Sequence, residues 1–324
     1  MAKAVARSAG QALSLLIVKS KSHGGFHFDA YTNLYDSLVW SVISYGAAIW
    51  GTRGFSCINA VQHRAIRFSL GLGKYSPNDA INGDMGWKPP CVKHWSCVFR
   101  HWARCNVMST DRVNYKVFRW AFRNAVNKKK NWCFRIMTKF RECILELYTD
   151  LENILHKNVI TQLEDFLFDK YKVNWQNRMF SQKVGNKLRT YILFKEVFET
   201  EMYLNKNIPS RYRSAFAKFR CGVAPLRIET GRYENKNVHE RVCFICHDQI
   251  EDEKHDLLDC PLYADLRGRL FNEVKMSNVH FIISSDDDKF IYLFKSTECY
   301  DLVAKTCSNI LRRRNIFFIF LMYS

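Results

Sequence analysis

Apolar residues recur along most of the chain every three or four positions, the spacing that turns one face of a helix towards a core. Between residues 30 and 50 the stripe runs through Leu34, Leu38, Ser41, Val42, Tyr45 and Ile49 and ends at Gly51. A second stripe, Ile58, Val61, Ala65 and Phe68, predicts a helix from Ser56 to Leu70, stopped by the Gly71-Leu72-Gly73 turn. Prolines and glycines crowd the stretch from Lys74 to Pro90, which reads as loop around a short helical turn. No proline follows until Pro209, so long helices are predicted between about 91 and 205. Strand signals are confined to RVCFIC at 241–246. The expected fold class is mainly α, a helical bundle with a small cysteine-and-histidine unit near the C-terminus.

Charge changes this picture. The chain of 324 residues carries a net charge of +18, and a surface so basic attracts polyanions by releasing their counterions. The excess is concentrated: between Val92 and Arg141 stand thirteen Lys or Arg, with Asp111 as the one acid. Arg112, Lys116, Arg119 and Arg123 fall at i, i+4, i+7 and i+11, which stacks four like charges along one helix edge. Such pairs cost a helix a few tenths of a kcal/mol each, whereas a polyanion lying on the edge reverses the sign. Aromatic residues are interleaved with the cations. Trp95, Phe99, Trp102, Tyr115, Phe118 and Phe122 keep core spacing, whereas Trp120 falls off that face and is the candidate for stacking a base. Lys128, Lys129 and Lys130 form a turn that offers further phosphate contacts.

The strongest single motif lies further on. Cys243, Cys246, His255 and Cys260 are spaced C-x2-C-x8-H-x4-C, a pattern that folds four soft donors around one tetrahedral ion. His247 could take the place of His255, but its adjacency to Cys246 makes the geometry poor. Pro261 suits the first position of a helix, which would leave the Cys260 sulfur at a helix N-terminus and favour thiolate. Four protein donors leave no open position, so the expected cofactor is one structural zinc ion. Asp248, Glu251, Asp252, Glu253, Asp256 and Asp259 make the intervening loop acidic. Nucleic-acid contacts are therefore expected on its flanks, at Arg211 and Arg213 and at further cations including Lys218, Arg220 and Arg227.

The other cysteines stand singly. Cys57, Cys91, Cys97, Cys105, Cys133 and Cys143 sit on helix-like stretches, where a free thiol behaves as a small buried hydrophobe. No secretory signal opens the chain, and the apolar run NIFFIFLMYS is too short to span a bilayer. An intracellular setting, in cytoplasm or nucleus, and no membrane span are expected. No paired carboxylates on a strand turn and no P-loop or nucleophile motif occur, so the chain reads as non-enzymatic.

Two stretches resemble a known family. LYDSLVWSVISYGAAIWG (34–51), with INAVQHRAIRFSLGLGKYSPNDAINGDMGWKPP (58–90), is similar to the thumb that follows the catalytic palm in LINE-type, non-LTR retrotransposon reverse transcriptases. GRYENKNVHERVCFICHDQIEDEKHDLLDCPLYADLR (231–267) resembles the zinc knuckle near the C-terminus of the same polyproteins. The palm, with its aromatic-x-Asp-Asp site, has no counterpart here. The resemblance implies a C-terminal piece of such an element: a thumb-like helical region at 1–90, a basic then mixed-charge helical region at 91–205, a zinc-knuckle region at 206–275 and a helical tail at 276–324. It also implies RNA or DNA as partner, and possible other retroelement-encoded chains. The rival expectation is a non-enzymatic scaffold module with a structural zinc, in which the same cations would dock an acidic protein.

Overall fold

The computed structural model describes residues 1–126, 131–144, 157–181 and 187–323. It is mainly helical. Among the described residues there is no strand, only an isolated antiparallel bridge between Val242 and Ile250. The main helices are α1 (Ala2–Ser22), α2 (Ser56–Leu70), α3 (Asn78–Met85), α4 (Pro90–Asn106), α5 (Val113–Val126), α6 (Trp132–Ile144), α7 (Lys157–Phe180), α8 (Ser210–Arg220), α9 (Ala264–Ser277), α10 (Asp286–Lys295) and α11 (Tyr300–Tyr323). None of the described helices is long and apolar enough to cross a membrane. The described cysteines are all free.

The chain divides into two compact units. Unit 1 comprises Met1–Gly24, Ala30–Ala65 and Trp87–Asn174; unit 2 comprises Gly25–Asp29, Ile66–Gly86 and Trp175–Ser324.

In unit 1, Pro90 occupies the first turn of α4, where its missing N–H costs nothing. The Asn131 side chain accepts the Phe134 N–H at 2.9 Å and so begins α6. Val98, Phe99, Trp102 and Cys105 of α4 pack with Phe118 and Ala125 of α5 and with Cys133, Ile136, Phe140 and Cys143 of α6. Trp102 meets Phe118 edge-on at 5.0 Å, and Phe99 stacks on Phe140 at 4.9 Å. Of the six aromatics expected in the core, Phe99, Trp102 and Phe118 are buried, and Trp95 and Phe122 pack partly buried against them. Cys105, Cys133 and Cys143 serve as small hydrophobes, and burial pushes the Cys133 thiol up to about 12.

The stripe expected between 30 and 50 is the wrong face of its helix. Tyr31, Tyr35, Val39, Ile43 and Ala47 are buried, whereas Leu38, Tyr45 and Ile49 are exposed. The cause is local winding. Tyr35–Trp40 is a π-helical turn, and Gly46, at φ 63°, breaks the helix before Ala47–Trp50. A wider turn lengthens the repeat towards every fourth residue, so a 3.6-residue template drifts off the buried side.

Unit 2 is organised around one buried ion pair. Asp84, at the end of α3, is fully buried and accepts from Nε and Nη2 of Arg220, both at 3.1 Å. The Tyr191 and Tyr203 hydroxyls donate to the same carboxylate at 2.8 and 2.9 Å. Arg220, the last residue of α8, also donates from Nη1 to the Phe294 carbonyl oxygen on α10 at 2.9 Å. The chain turns sharply after α8 at Gly222, whose φ is 62°; a Cβ there would lie 1.8 Å from the Lys187 carbonyl oxygen.

Burial alone would raise the Asp84 pKa, but Arg220, Lys195 and Tyr191 outweigh it and hold the carboxyl below its ordinary value. Removing one partner of a buried pair leaves the other charge uncompensated. Asp84→Ala is therefore expected to destabilise unit 2 by about 3–5 kcal/mol, read from denaturant midpoints. A depressed folded-state pKa means that the stabilisation is present above the unfolded carboxylate value and is lost as pH falls through the lower folded value. Wild type should accordingly lose stability on acidification below pH ~4, and the variant should lose less.

Candidate functional site

The cysteine-and-histidine stretch folds into a compact knuckle in unit 2. Pairing of Val242 with Ile250 brings the two ends of a tight turn together, and the Cys243 N–H donates to the Gln249 carbonyl oxygen at 2.8 Å. The His247 N–H closes the turn onto the Cys243 carbonyl oxygen at 3.0 Å, with His247 at φ 53°. Asp252 caps the short helix Glu253–Leu258, its side chain accepting the His255 N–H at 2.9 Å. His255 lies on that helix. Its carbonyl oxygen accepts the N–H of Cys260 at 2.8 Å, which draws the fourth donor back to the turn. Cys260 then precedes the 3-10 turn Pro261–Tyr263, and Pro261 stands in its first turn, as expected.

The sulfurs of Cys243 and Cys260 and one ring nitrogen of His255 all lie within 4.8 Å of one another, and all three residues are buried. Such a group could hold a metal ion. Cys246 is half-buried and outside that tight group, with its sulfur 3.6 Å from His255 Nε2. The two sulfurs of Cys243 and Cys260 are 3.9 Å apart. A tetrahedral ion with bonds of about 2.3 Å to sulfur and 2.0–2.1 Å to nitrogen separates two sulfurs by about 3.8 Å and a sulfur from a nitrogen by about 3.6 Å. Both spacings are met. His247, the alternative to His255, is exposed and outside the group.

The protonation pattern suits a cation. The contact with the Cys260 sulfur holds the Cys243 thiol below its ordinary value, helped by His255 and by the backbone N–H groups of Cys246 and Ile245, while Cys260 carries the matching rise. The Nδ1 of His255 lies 2.8 Å from Gln249 Oε1. Since the amide oxygen can only accept, this contact puts the proton on Nδ1 and leaves the Nε2 lone pair facing the sulfurs. Gln249 is a feature that spacing did not reveal, because a glutamine inside a polar turn carries no periodic signal.

The acidity of the loop is turned inward. Glu251, Glu253 and Asp256 are buried, and two of them meet arginines from distant parts of the unit. Arg189 grips both Glu253 oxygens at 2.7 and 2.8 Å, and Arg314 grips both Glu251 oxygens at 2.7 and 2.9 Å. Asp256 has no hydrogen-bond partner on either oxygen among the described residues, and burial pushes its carboxyl well above the usual range. The acids that suggested repulsion of phosphate are therefore partly neutralised in the interior.

The expected nucleic-acid residues lie in three places. Arg112, Lys116, Arg119 and Arg123 are exposed, and α5 carries the last three of them. Arg112 stands just before the helix, its carbonyl oxygen accepting the Lys116 N–H at 3.2 Å. Among the described residues none of the four has a carboxylate within ion-pair distance, and the Arg119 guanidinium lies 5.7 Å from the Phe122 ring. Trp120 is 66% exposed on the same helix. Lys128, Lys129 and Lys130 lie outside the described residues. Arg211 is exposed and Arg213 half-buried on α8. Two further flanking cations turn inward: Arg220 is the buried partner of Asp84, and buried Arg227 pairs with Glu234.

Comparison of the chain with protein families, with curated proteins and with solved structures gives no match.

If Gln249 fixes the His255 ring, Gln249→Ala should weaken binding of a divalent metal by about tenfold or more. Competition against a chromophoric chelator measures this. Gln249→Glu, which keeps an acceptor, should recover most of the loss.

Proposed function

We propose that the chain is a non-catalytic, nucleic-acid-binding protein whose knuckle is locked by one structural zinc ion, and that it descends from the C-terminal part of a LINE-type reverse transcriptase. The observation that carries the nucleic-acid reading is the exposed cationic edge of α5, where Arg112, Lys116, Arg119 and Arg123 lack carboxylate partners among the described residues. Helix energetics oppose such a row, and phosphates along it supply the missing counter-charge. Three sulfurs and an imidazole favour zinc over harder cations, and they fill its coordination sphere, so the ion holds the knuckle and leaves no position for a reacting water. Within this reading Cys246 completes the set by a small movement of its half-buried sulfur. The descent rests on the resemblance of 34–90 and 231–267 alone.

Purified protein should contain one equivalent of zinc by elemental analysis. Cys246→Ser and Cys260→Ser should each lose it, and a chelator should unfold residues 240–270 locally, since metal binding and folding of such knuckles are linked. Full zinc occupancy in both variants would remove the assignment.

Nucleic-acid binding across a salt series tests the rest. Replacing Arg112, Lys116, Arg119 and Arg123 together by Gln should flatten the log–log slope by about three to four units, similarly for unrelated sequences. Equal slopes for wild type and variant would transfer this edge to a protein partner.

A further inference from the structure

A second basic surface lies in unit 2, away from α5 in sequence, and includes Arg211 and Lys218 from the flank of the knuckle. Two cavities meet at Lys218 on α8. The smaller, about 200 Å³, is lined by Tyr75, Tyr233, Pro225, Val223 and Ala224 among others. Both tyrosines are exposed, at 62% and 72%. Exposed aromatic rings beside one cavity are unusual for a surface that has only water to face. Lys74 Nζ lies 4.7 Å from the centre of the Tyr75 ring, giving that platform a cation of its own. The larger cavity, about 380 Å³, lies between α8 and α11 and is bordered by Arg211, Lys218 and Arg312, with Leu311, Ile316 and Ile319 supplying apolar surface.

The electrostatics of this groove are one-sided. Among the described residues no carboxylate lies within ion-pair distance of Arg211, Lys218 or Arg312. The one acid in the lining, Glu229, is buried and already engaged by Lys187, Arg189 and Arg232 at 3.3, 3.1 and 3.0 Å. Lys187 is occupied in turn, donating to the Tyr75 carbonyl oxygen at 3.1 Å. Lys218 thus borders both cavities, with Arg211 and Arg312 on the larger and the two tyrosines on the smaller. A cavity of 200 Å³ falls below the ~300–1,000 Å³ of a small-molecule site. A planar base that remains attached to its strand needs only a slot.

We propose that this groove binds a single strand of nucleic acid, with bases stacking on Tyr75 and Tyr233 and phosphates held by Lys218, Arg211 and Arg312. The proposal rests on the nucleic-acid reading above and adds to it a second site with a different preference. The α5 edge offers a row of point charges and suits any phosphate backbone. The groove offers stacking, which a duplex cannot use because its bases are already paired and stacked. An acidic peptide would satisfy the cations but would leave the tyrosine slot without a role.

The experiment measures the anisotropy of fluorescent oligouridylate and of a random duplex on the full chain loaded with zinc. Tyr75→Ala with Tyr233→Ala should weaken oligouridylate by about tenfold or more and leave the duplex unchanged. Both side chains are exposed, so the fold should survive, and retained zinc stoichiometry checks that it has. Lys218→Gln with Arg312→Gln should flatten the single-strand salt slope by about 1.4 units. A strand carrying 5-iodouracil should crosslink to Tyr75 or Tyr233 on irradiation. Unchanged oligouridylate affinity in both double variants would overturn the groove while the α5 reading stands on its own salt series. Equal losses for single strand and duplex would likewise overturn it, because stacking would then play no part. Binding of neither oligomer by wild type would overturn the groove and the nucleic-acid reading together, and would point both surfaces towards a protein.

Discussion

Unit 2 depends on a carboxylate that cannot reach water. Asp84 has no exposed surface, and its two oxygens are filled by Arg220 and by two tyrosine hydroxyls. Each of these donors comes from a different stretch of chain, and Arg220 continues to Phe294 and Glu201. The burial of two charges is unfavourable by itself and becomes tolerable only when every lone pair and N–H finds a partner. Satisfying that condition fixes where α3, α8 and α10 meet. An apolar core would tolerate sliding by a fraction of a turn; a fully satisfied polar cluster does not.

The knuckle is attached to the same unit by a similar device. Its acids Glu251 and Glu253 reach inward to Arg314 and Arg189, so the turn is anchored to distant parts of the unit by charge-assisted hydrogen bonds on both oxygens of each acid. His255 is held from both ends, by Asp252 at its backbone and by Gln249 at its ring. His255 is thereby held in place beside the sulfurs of Cys243 and Cys260, an order that would lower the cost of binding an ion there. Arg314 belongs to α11 and Arg189 to the segment before α8, so the knuckle and the helices around it stabilise one another.

What the sequence disclosed, and what it hid, follows from the range of each signal. The bounds of α2 and the turn at Gly71 could be read directly, because a straight helix closed by a glycine keeps its 3.6-residue rhythm. Cys243, His255 and Cys260 were legible as a group because a chelate requires short, fixed spacings, whereas Cys246 lies just outside it. The face of 30–50 was misread, since nothing in the residues announces a π-helical turn at Tyr35–Trp40. Arg220 and Arg227 looked like surface cations, and only the fold shows their acids, which for Arg220 stand 136 residues away at Asp84. At the groove, Arg211 and Lys218 were legible as flanking cations, but Tyr75 and Tyr233 were not, because they come to line one cavity only through tertiary structure.

The discontinuity of unit 2 has a consequence for how the chain is made. Its segment Ile66–Gly86 is followed by the whole of Trp87–Asn174, which belongs to unit 1, before unit 2 resumes at Trp175. A ribosome therefore delivers Asp84 long before Arg220, and every residue of unit 1 precedes the second half of unit 2. Domains generally fold as units as the chain emerges, so unit 1 is able to close around its own helices while α3 waits with an unpaired acid. Closing that loop is costlier for a random coil than for one whose interior has already collapsed, because the entropy of closure grows with the number of free residues. An early Asp84 in water suffers no penalty until its arginine is made.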